Sequence, residues 1–345
     1  MSSNKVLLTG ATGFLGSEVA ARLLKTRPFE SIVLLGRRRP KVAGSLLALR
    51  LAEHGLDPRL IEKVSFVEAD FGDESAFRAA LRGLGPELDG AAVVHMAAVI
   101  HRQGSVQEQT RVNVGATDDL VDWCNERGGK FVFISSVVCF GGSDTPVVRS
   151  EKDFPEVTGP GHRFDYFRTK HEAHMRVLKR SRKPAVFLCP GIVHGSLEGF
   201  KDSRGHLKAL REGRLSLAPS GGGNFVGLDR VAQATVDAAL RESPARVETR
   251  LLVDRNMSYL DYFQLYVNLA RGAQAQKIRA VPRFASLAAR ALQGALDASG
   301  GRIGFVEGLA QGSYWLHFES EHALPPTMGL EAALKASLDL PGGME

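Results

Sequence analysis

Cysteine is scarce in this chain, with only Cys124, Cys139 and Cys189 among 345 residues. They form no CxxC pair, and one is left over in any pairing scheme. This excludes a disulfide scaffold, fits a reducing, cytoplasmic compartment, and predicts buried free thiols with no metal site. Long apolar runs are missing too: none approaches the roughly 18 residues of a membrane span, and the longest, at 91–100, is broken by His95. Lys5 followed by Val6-Leu7-Leu8 imitates a signal peptide, but the glycines that come next explain this stretch better. No long run carries one sign of charge: 44 Lys and Arg against 38 Asp and Glu leave +6 spread along the chain, which argues against a dedicated nucleic-acid binder. Internal repeats and low-complexity tracts are absent. With 44% hydrophobic and 24% charged residues, disordered, collagen-like and coiled-coil classes are excluded. The length suggests about two structural units.

What the first half does contain is alternation. Short β-branched or leucine-rich runs at 5–9, 31–35, 64–68, 92–95, 130–135 and 185–189 read as strands. Helical stretches at 14–25, 45–54, 74–84, 110–125 and 166–181 separate them. This is the pattern of an α/β fold with a doubly wound, Rossmann-like parallel sheet. After Pro190 the rhythm weakens, apart from a strand-turn-helix at 225–240, and the tail ending Pro341-Gly342-Gly343 is poorly patterned. The expected division is a cofactor domain at 1–192 plus about 224–242, and a smaller, discontinuous substrate-binding domain from about 193–223 and 243–345.

Thr9-Gly10-Ala11-Thr12-Gly13-Phe14-Leu15-Gly16 follows the first strand and opens the first helix. Gly10 permits a tight turn, Gly13 a close backbone approach to a pyrophosphate, and Gly16 close helix packing, while the helix N-terminus faces the negative charge. Thr9, Gly10, Thr12, Gly13, Phe14, Leu15 and Gly16 are therefore expected to bind a dinucleotide. An NAD site usually places an acid about 20 residues further on, at the end of the second strand. Here that strand ends in Gly36-Arg37-Arg38-Arg39. A guanidinium fork suits a 2′-phosphate, so Arg37 and Arg38 point to NADP, with NAD as the alternative.

The spacing GxxGxxG resembles the loop of the extended short-chain dehydrogenase/reductase family, and motifs in family order run from about residue 5 to 240. Tyr166 and Lys170, four apart on one helix face, form its YxxxK pair. Their spacing suits a phenol that serves as acid/base, tuned by an ammonium. YxxxK alone is a weak signal, but a strand ending in Ser135-Ser136 stands 30 residues before the Tyr. The resemblance implies that Ser136 holds the substrate carbonyl, with Ser135 as the alternative, and that Asn113 joins the catalytic set, either through a relay water or as a buried structural amide. It also implies adenine contacts from Asp70 and Phe71, and cofactor contacts from Ala97, Ala98, Pro190, Gly191 and Val193 besides Tyr166 and Lys170. His95 is expected to be a satisfied core residue. Cys189 departs from the pattern by replacing an arginine.

Val137-Val138 follow Ser136 where the family's sugar dehydratases carry Asp-Glu, so that elimination chemistry lacks its acid and base. The expected activity is an NADPH-dependent ketone reductase acting on a mostly hydrophobic small molecule. The alternatives are a nucleotide-sugar epimerase with tightly held NAD and a non-catalytic NADP sensor. Gly227 is expected to open space for substrate. The stripe Phe284, Leu287, Ala288, Ala291 and Leu292 is expected to be core or pocket lining. The resemblance also implies a homodimer built on the helices around 113–123 and 166–178.

Overall fold

The computed structural model describes residues 5–100, 105–127, 129–154, 164–198, 205–241, 246–299, 303–322 and 328–338, and the Pro341-Gly342-Gly343 tail lies outside them. Seven strands form one sheet: β1 (Val6–Thr9), β2 (Ile32–Gly36), β3 (Ser65–Glu68), β4 (Ala92–His95), β5 (Lys130–Ile134), β6 (Ala185–Pro190) and, later in the chain, β9 (Val247–Leu252). Their order is β9-β6-β5-β4-β1-β2-β3, and every pairing is parallel. The order turns back between β1 and β4, the place where doubly wound sheets bind ligands.

Both faces of this sheet are covered, which is why its strands read as continuous apolar runs rather than alternating ones. Leu7, Val93, Phe131, Phe133 and Phe187 face one core, while Val6, Leu8, Val94, Val132 and Leu188 face the other. Helices α1 (Phe14–Thr26), α2 (Leu46–Glu53) and α6 (Leu228–Leu240) pack on the second core. Helices α3 (Glu74–Arg82), α4 (Ala116–Arg127) and α5 (Asp165–Arg180) pack on the first. A turn of π-helix, Arg111–Gly115, leads into α4.

A second sheet joins β7 (Ile192–His194), β8 (Gly222–Gly227) and β10 (Arg255–Ser258), with β8 in the middle. Its core is aromatic, with Phe225 stacked on Tyr262 at 4.1 Å beneath α7 (Tyr259–Arg271) and α10 (Leu330–Leu338). Helices α8 (Arg283–Ser299) and α9 (Gly304–Gln311) form a further hairpin.

Three expectations change here. Strand β9 lies in the main sheet although the sequence assigns 247–252 to the smaller unit; as an edge strand it tolerates the Arg250–Glu248 ion pair that interrupts its apolar run. Gly227 opens no space: a Cβ there would meet Asp254, the Met328 backbone and Ala333 at 3.4–3.5 Å. The stripe on α8 is neither core nor pocket lining, since Phe284 is 76%, Leu287 48% and Leu292 47% exposed. The helix packs instead through Ser286, Ala289 and Gln293, whose small or polar side chains carry no hydrophobic signal.

Candidate active site

The glycine loop is built by contacts that only hydrogen allows. Gly10 has φ +76°, and a Cβ on it would sit 2.8 Å from the Ala97 nitrogen. A Cβ on Gly16 would overlap the Gly10 carbonyl oxygen. Gly13 donates its N–H to that same oxygen at 2.9 Å and begins α1 without a side-chain cap or an acidic residue in the first turn. These are the features of a cradle for a dinucleotide phosphate: close backbone, open N–H groups and the positive end of a helix.

Thr9 contributes differently from expectation. Its hydroxyl accepts from the Met96 and Ala97 N–H groups at 3.1 Å and donates to His95 Nδ1 at 2.8 Å, leaving only its backbone for a ligand. The proton inventory then fixes the chain onward. His95 Nε2–H donates to Thr117 at 3.0 Å, and Thr117 donates to the Asn113 carbonyl at 2.8 Å. Burial, with the nearby Lys170 charge, lowers the His95 pKa to about 3, so the ring is neutral and structural. The unfolded imidazole protonates below its ordinary value of about 6.5 while the folded one does not. This contribution is therefore present above pH 6.5 and is lost as pH falls, by about 1.4 kcal/mol per unit. Urea unfolding at pH 7 and pH 5 should show a loss of about 2 kcal/mol that is missing in His95→Asn.

Past the end of β2, Arg37 and Arg38 are exposed and make no hydrogen bond or ion pair among the described residues. Arg39 is committed elsewhere: it donates to the Ile61 and Val64 carbonyls at 3.1 and 3.0 Å and lies over Phe66. Asp70 is exposed, with one carboxylate oxygen accepting from the Gly72 N–H at 2.9 Å. Phe71 is buried against Phe77 and stacked on His95, so its side chain serves the core. Ala97 and Ala98 follow β4 and are partly exposed.

At the end of β5 the two serines diverge. Ser135 turns inward, its hydroxyl 3.0 Å from His174 Nδ1. Ser136 lies near Tyr166 and donates its hydroxyl toward the Pro190 carbonyl at 3.4 Å. Lys170, one helical turn beyond Tyr166, donates from Nζ to the Ile134 carbonyl at 2.9 Å. Burial lowers its pKa to about 8. Burial likewise raises Tyr166 to about 12, against the opposing effect of the nearby Ser136 hydroxyl. The expected acidic phenol is thus absent from the protein by itself, because burial outweighs the effect of Ser136, and the Lys170 ammonium bonds a main-chain carbonyl. Asn113 does not offer a free amide: Oδ1 accepts from the Val99 N–H at 2.8 Å, and Nδ2 donates to the Val99 carbonyl at 2.9 Å and to Thr169 at 3.2 Å. That geometry anchors the β4 loop to α5. Gly191 is closely packed, since a Cβ would overlap Asn224 of β8, and Val193 pairs with Val226.

Residues 8–235 match the NAD-binding family described as Male sterility protein. The chain belongs to this family. This family is of the extended short-chain dehydrogenase/reductase type, and the chain spans 60% or less of the length of the first curated relatives it matches. Among curated relatives of this family member, a dTDP-4-dehydro-6-deoxy-D-allose reductase from a Streptomyces species is 31% identical over 211 residues, 59% of this chain and 60% of the relative. An isonitrile lipopeptide synthase from Streptomyces coeruleorubidus is 25% identical over 263 residues, 70% of this chain but only 17% of that much longer protein. Among solved structures, the UDP-glucose 4-epimerase of Thermotoga maritima has the same fold, with a TM-score of 0.67 at 17% identity over 97% of both chains.

Sequence reasoning missed one feature beside this site. Cys139, His174 and Cys189 are fully buried and lie together behind Ser136 and Lys170. Cys139 and Cys189 follow or end neighbouring parallel strands, and His174 is one turn along α5 from Lys170; those placements were the available signal. No helix among the described residues is long and apolar enough to cross a membrane.

Proposed function

We propose that the protein is an NADPH-dependent carbonyl reductase that converts a ketone of a small molecule to the corresponding alcohol. The observation that carries this reading is the meeting of Ser136, Tyr166 and Lys170 beside the Gly10–Gly16 cradle. A reduced nicotinamide, when bound, supplies the hydride. Ser136 donates a hydrogen bond to the carbonyl oxygen and holds it against Tyr166, whose hydroxyl delivers the proton to that oxygen as negative charge develops. The high pKa of Tyr166 keeps this donor protonated at neutral pH. Lys170 neutralises the tyrosinate left behind and would hold the nicotinamide ribose hydroxyls. Arg37 and Arg38 would hold the 2′-phosphate.

For the substrate we infer a ketone on a mostly apolar natural-product framework. The match to part of a lipopeptide synthase supports that class, and the match to a deoxysugar reductase supports a ketosugar as the second candidate. Purified protein incubated with NADPH and a panel of both ketone types should consume NADPH with one of them. Tightly co-purifying NAD with no net oxidation would instead identify an epimerase. NADP binding without turnover across the panel would identify a sensor.

A further inference from the structure

We propose that Cys139, His174 and Cys189 form a binding site for a thiophilic metal ion, zinc or copper(I), directly behind the catalytic face. The site is independent of the reductase reading. Cys139 lies in the turn Val137–Phe140 after Ser136, His174 on α5, and Cys189 in β6, so three separate elements deliver the donors. The two sulfurs and a ring nitrogen all lie within 4.8 Å of one another, and Cys139 Sγ is 3.4 Å from His174 Nδ1. Ser135 Oγ is 3.0 Å from the same nitrogen, which places an oxygen beside these donors.

The dimensions suit an ion. With metal–sulfur bonds of about 2.3 Å and metal–nitrogen bonds of about 2.0 Å, a tetrahedral site has ligand separations of roughly 3.5–3.8 Å. The Cys139–His174 distance of 3.4 Å is close to it, and no separation exceeds that range by more than about an ångström, within reach of small side-chain rotations. His174 cannot wander, because its ring lies between Phe154 at 4.2 Å and Phe187 at 4.1 Å. That aromatic clamp aims Nδ1 at Cys139 and Ser135.

Chemistry selects the ion class. Two sulfurs and an imidazole are soft donors, preferred by zinc and copper(I) over magnesium, calcium or manganese. All three side chains are 0% exposed, and Ser135 is 3% exposed. Such a closed set describes a structural centre rather than a catalytic one. Two thiolates around a divalent ion are also neutral overall, which burial permits beside the Lys170 ammonium. Arg149 and Tyr166 are further titratable neighbours of Cys139, and His171 has Nδ1 2.8 Å from the Cys139 carbonyl oxygen. An ion held here would pin the Ser136 turn to α5 and β6 and so fix the distance between Ser136 and Lys170.

The test uses full-length protein, reduced and freed of metal with a chelator. It is titrated separately with zinc, copper(I) and cobalt(II), and metal content is measured after gel filtration. One equivalent of zinc or copper(I) per chain, the visible bands of tetrahedral cobalt–thiolate coordination, and a raised unfolding temperature are expected. Cys139→Ala and Cys189→Ser should lose all three, while Cys124→Ala keeps them. If a Cys139 or Cys189 variant fails to fold, wild-type cobalt spectra still decide the matter, because coordination at exposed side chains gives no thiolate bands. Substoichiometric metal, cobalt bound without those bands, or a Cys139–Cys189 disulfide formed in metal-free protein would overturn the proposal.

Discussion

Replacing Tyr166 with Phe should lower the turnover number for ketone reduction by about 10²–10⁴-fold, the usual contribution of a positioned general acid. NADPH binding, followed by quenching of protein fluorescence, should change little. The phenol is the proton-bearing group beside Ser136, and the ring that remains in Phe still fills its place against the first core. The pH profile separates this role from a merely structural one. With Tyr166 held near 12, the donor for reduction is protonated throughout the neutral range, so reduction should be insensitive to pH through this group. Oxidation of the alcohol needs the tyrosinate, and its rate should climb with pH by up to about tenfold per unit, a climb that Tyr166→Phe removes. Full reductase activity in Tyr166→Phe would sink the assignment.

The parts of this site that were legible in the sequence are those whose geometry is local. A glycine with positive φ, a helix N-terminus and a four-residue spacing are properties of short segments, so the Gly10–Gly16 loop and the Tyr166–Lys170 pair can be read directly. The same holds for β1, β2, β4, β5 and β6, where burial on both faces leaves an unmistakable apolar run. Features that depend on what arrives from elsewhere were not legible. The Cys139–His174–Cys189 cluster joins residues 35 and 15 positions apart through three elements, and no spacing rule connects them. The direction of the Tyr166 shift depends on how deeply the folded chain buries the phenol, which no local spacing encodes. Helix α8 shows the converse error, for its amphipathic stripe is real but the opposite, small-residue face is the one that packs.

Replacing Arg37 and Arg38 together with Ala should raise the KM for NADPH while leaving that for NADH nearly unchanged. Hydrogen bonds to a charged group contribute about 1.5–3 kcal/mol each, so one lost arginine corresponds to roughly a 10–150-fold change in the preference ratio. The paired loss should bring that ratio close to unity. Removing these side chains should cost the fold little, because both are exposed and neither holds a protein partner among the described residues. Arg39→Ala provides the contrast. Its guanidinium fastens the Ile61 and Val64 carbonyls ahead of β3, so that variant should lower the unfolding midpoint in urea without changing which cofactor is preferred. The electrostatic origin is open to a direct check, since the NADPH preference of the wild type should shrink with added salt as the exposed guanidinium–phosphate contacts are screened. If the double variant still discriminates between the two dinucleotides as the parent does, the 2′-phosphate is held elsewhere and the assignment of cofactor through Arg37 and Arg38 fails.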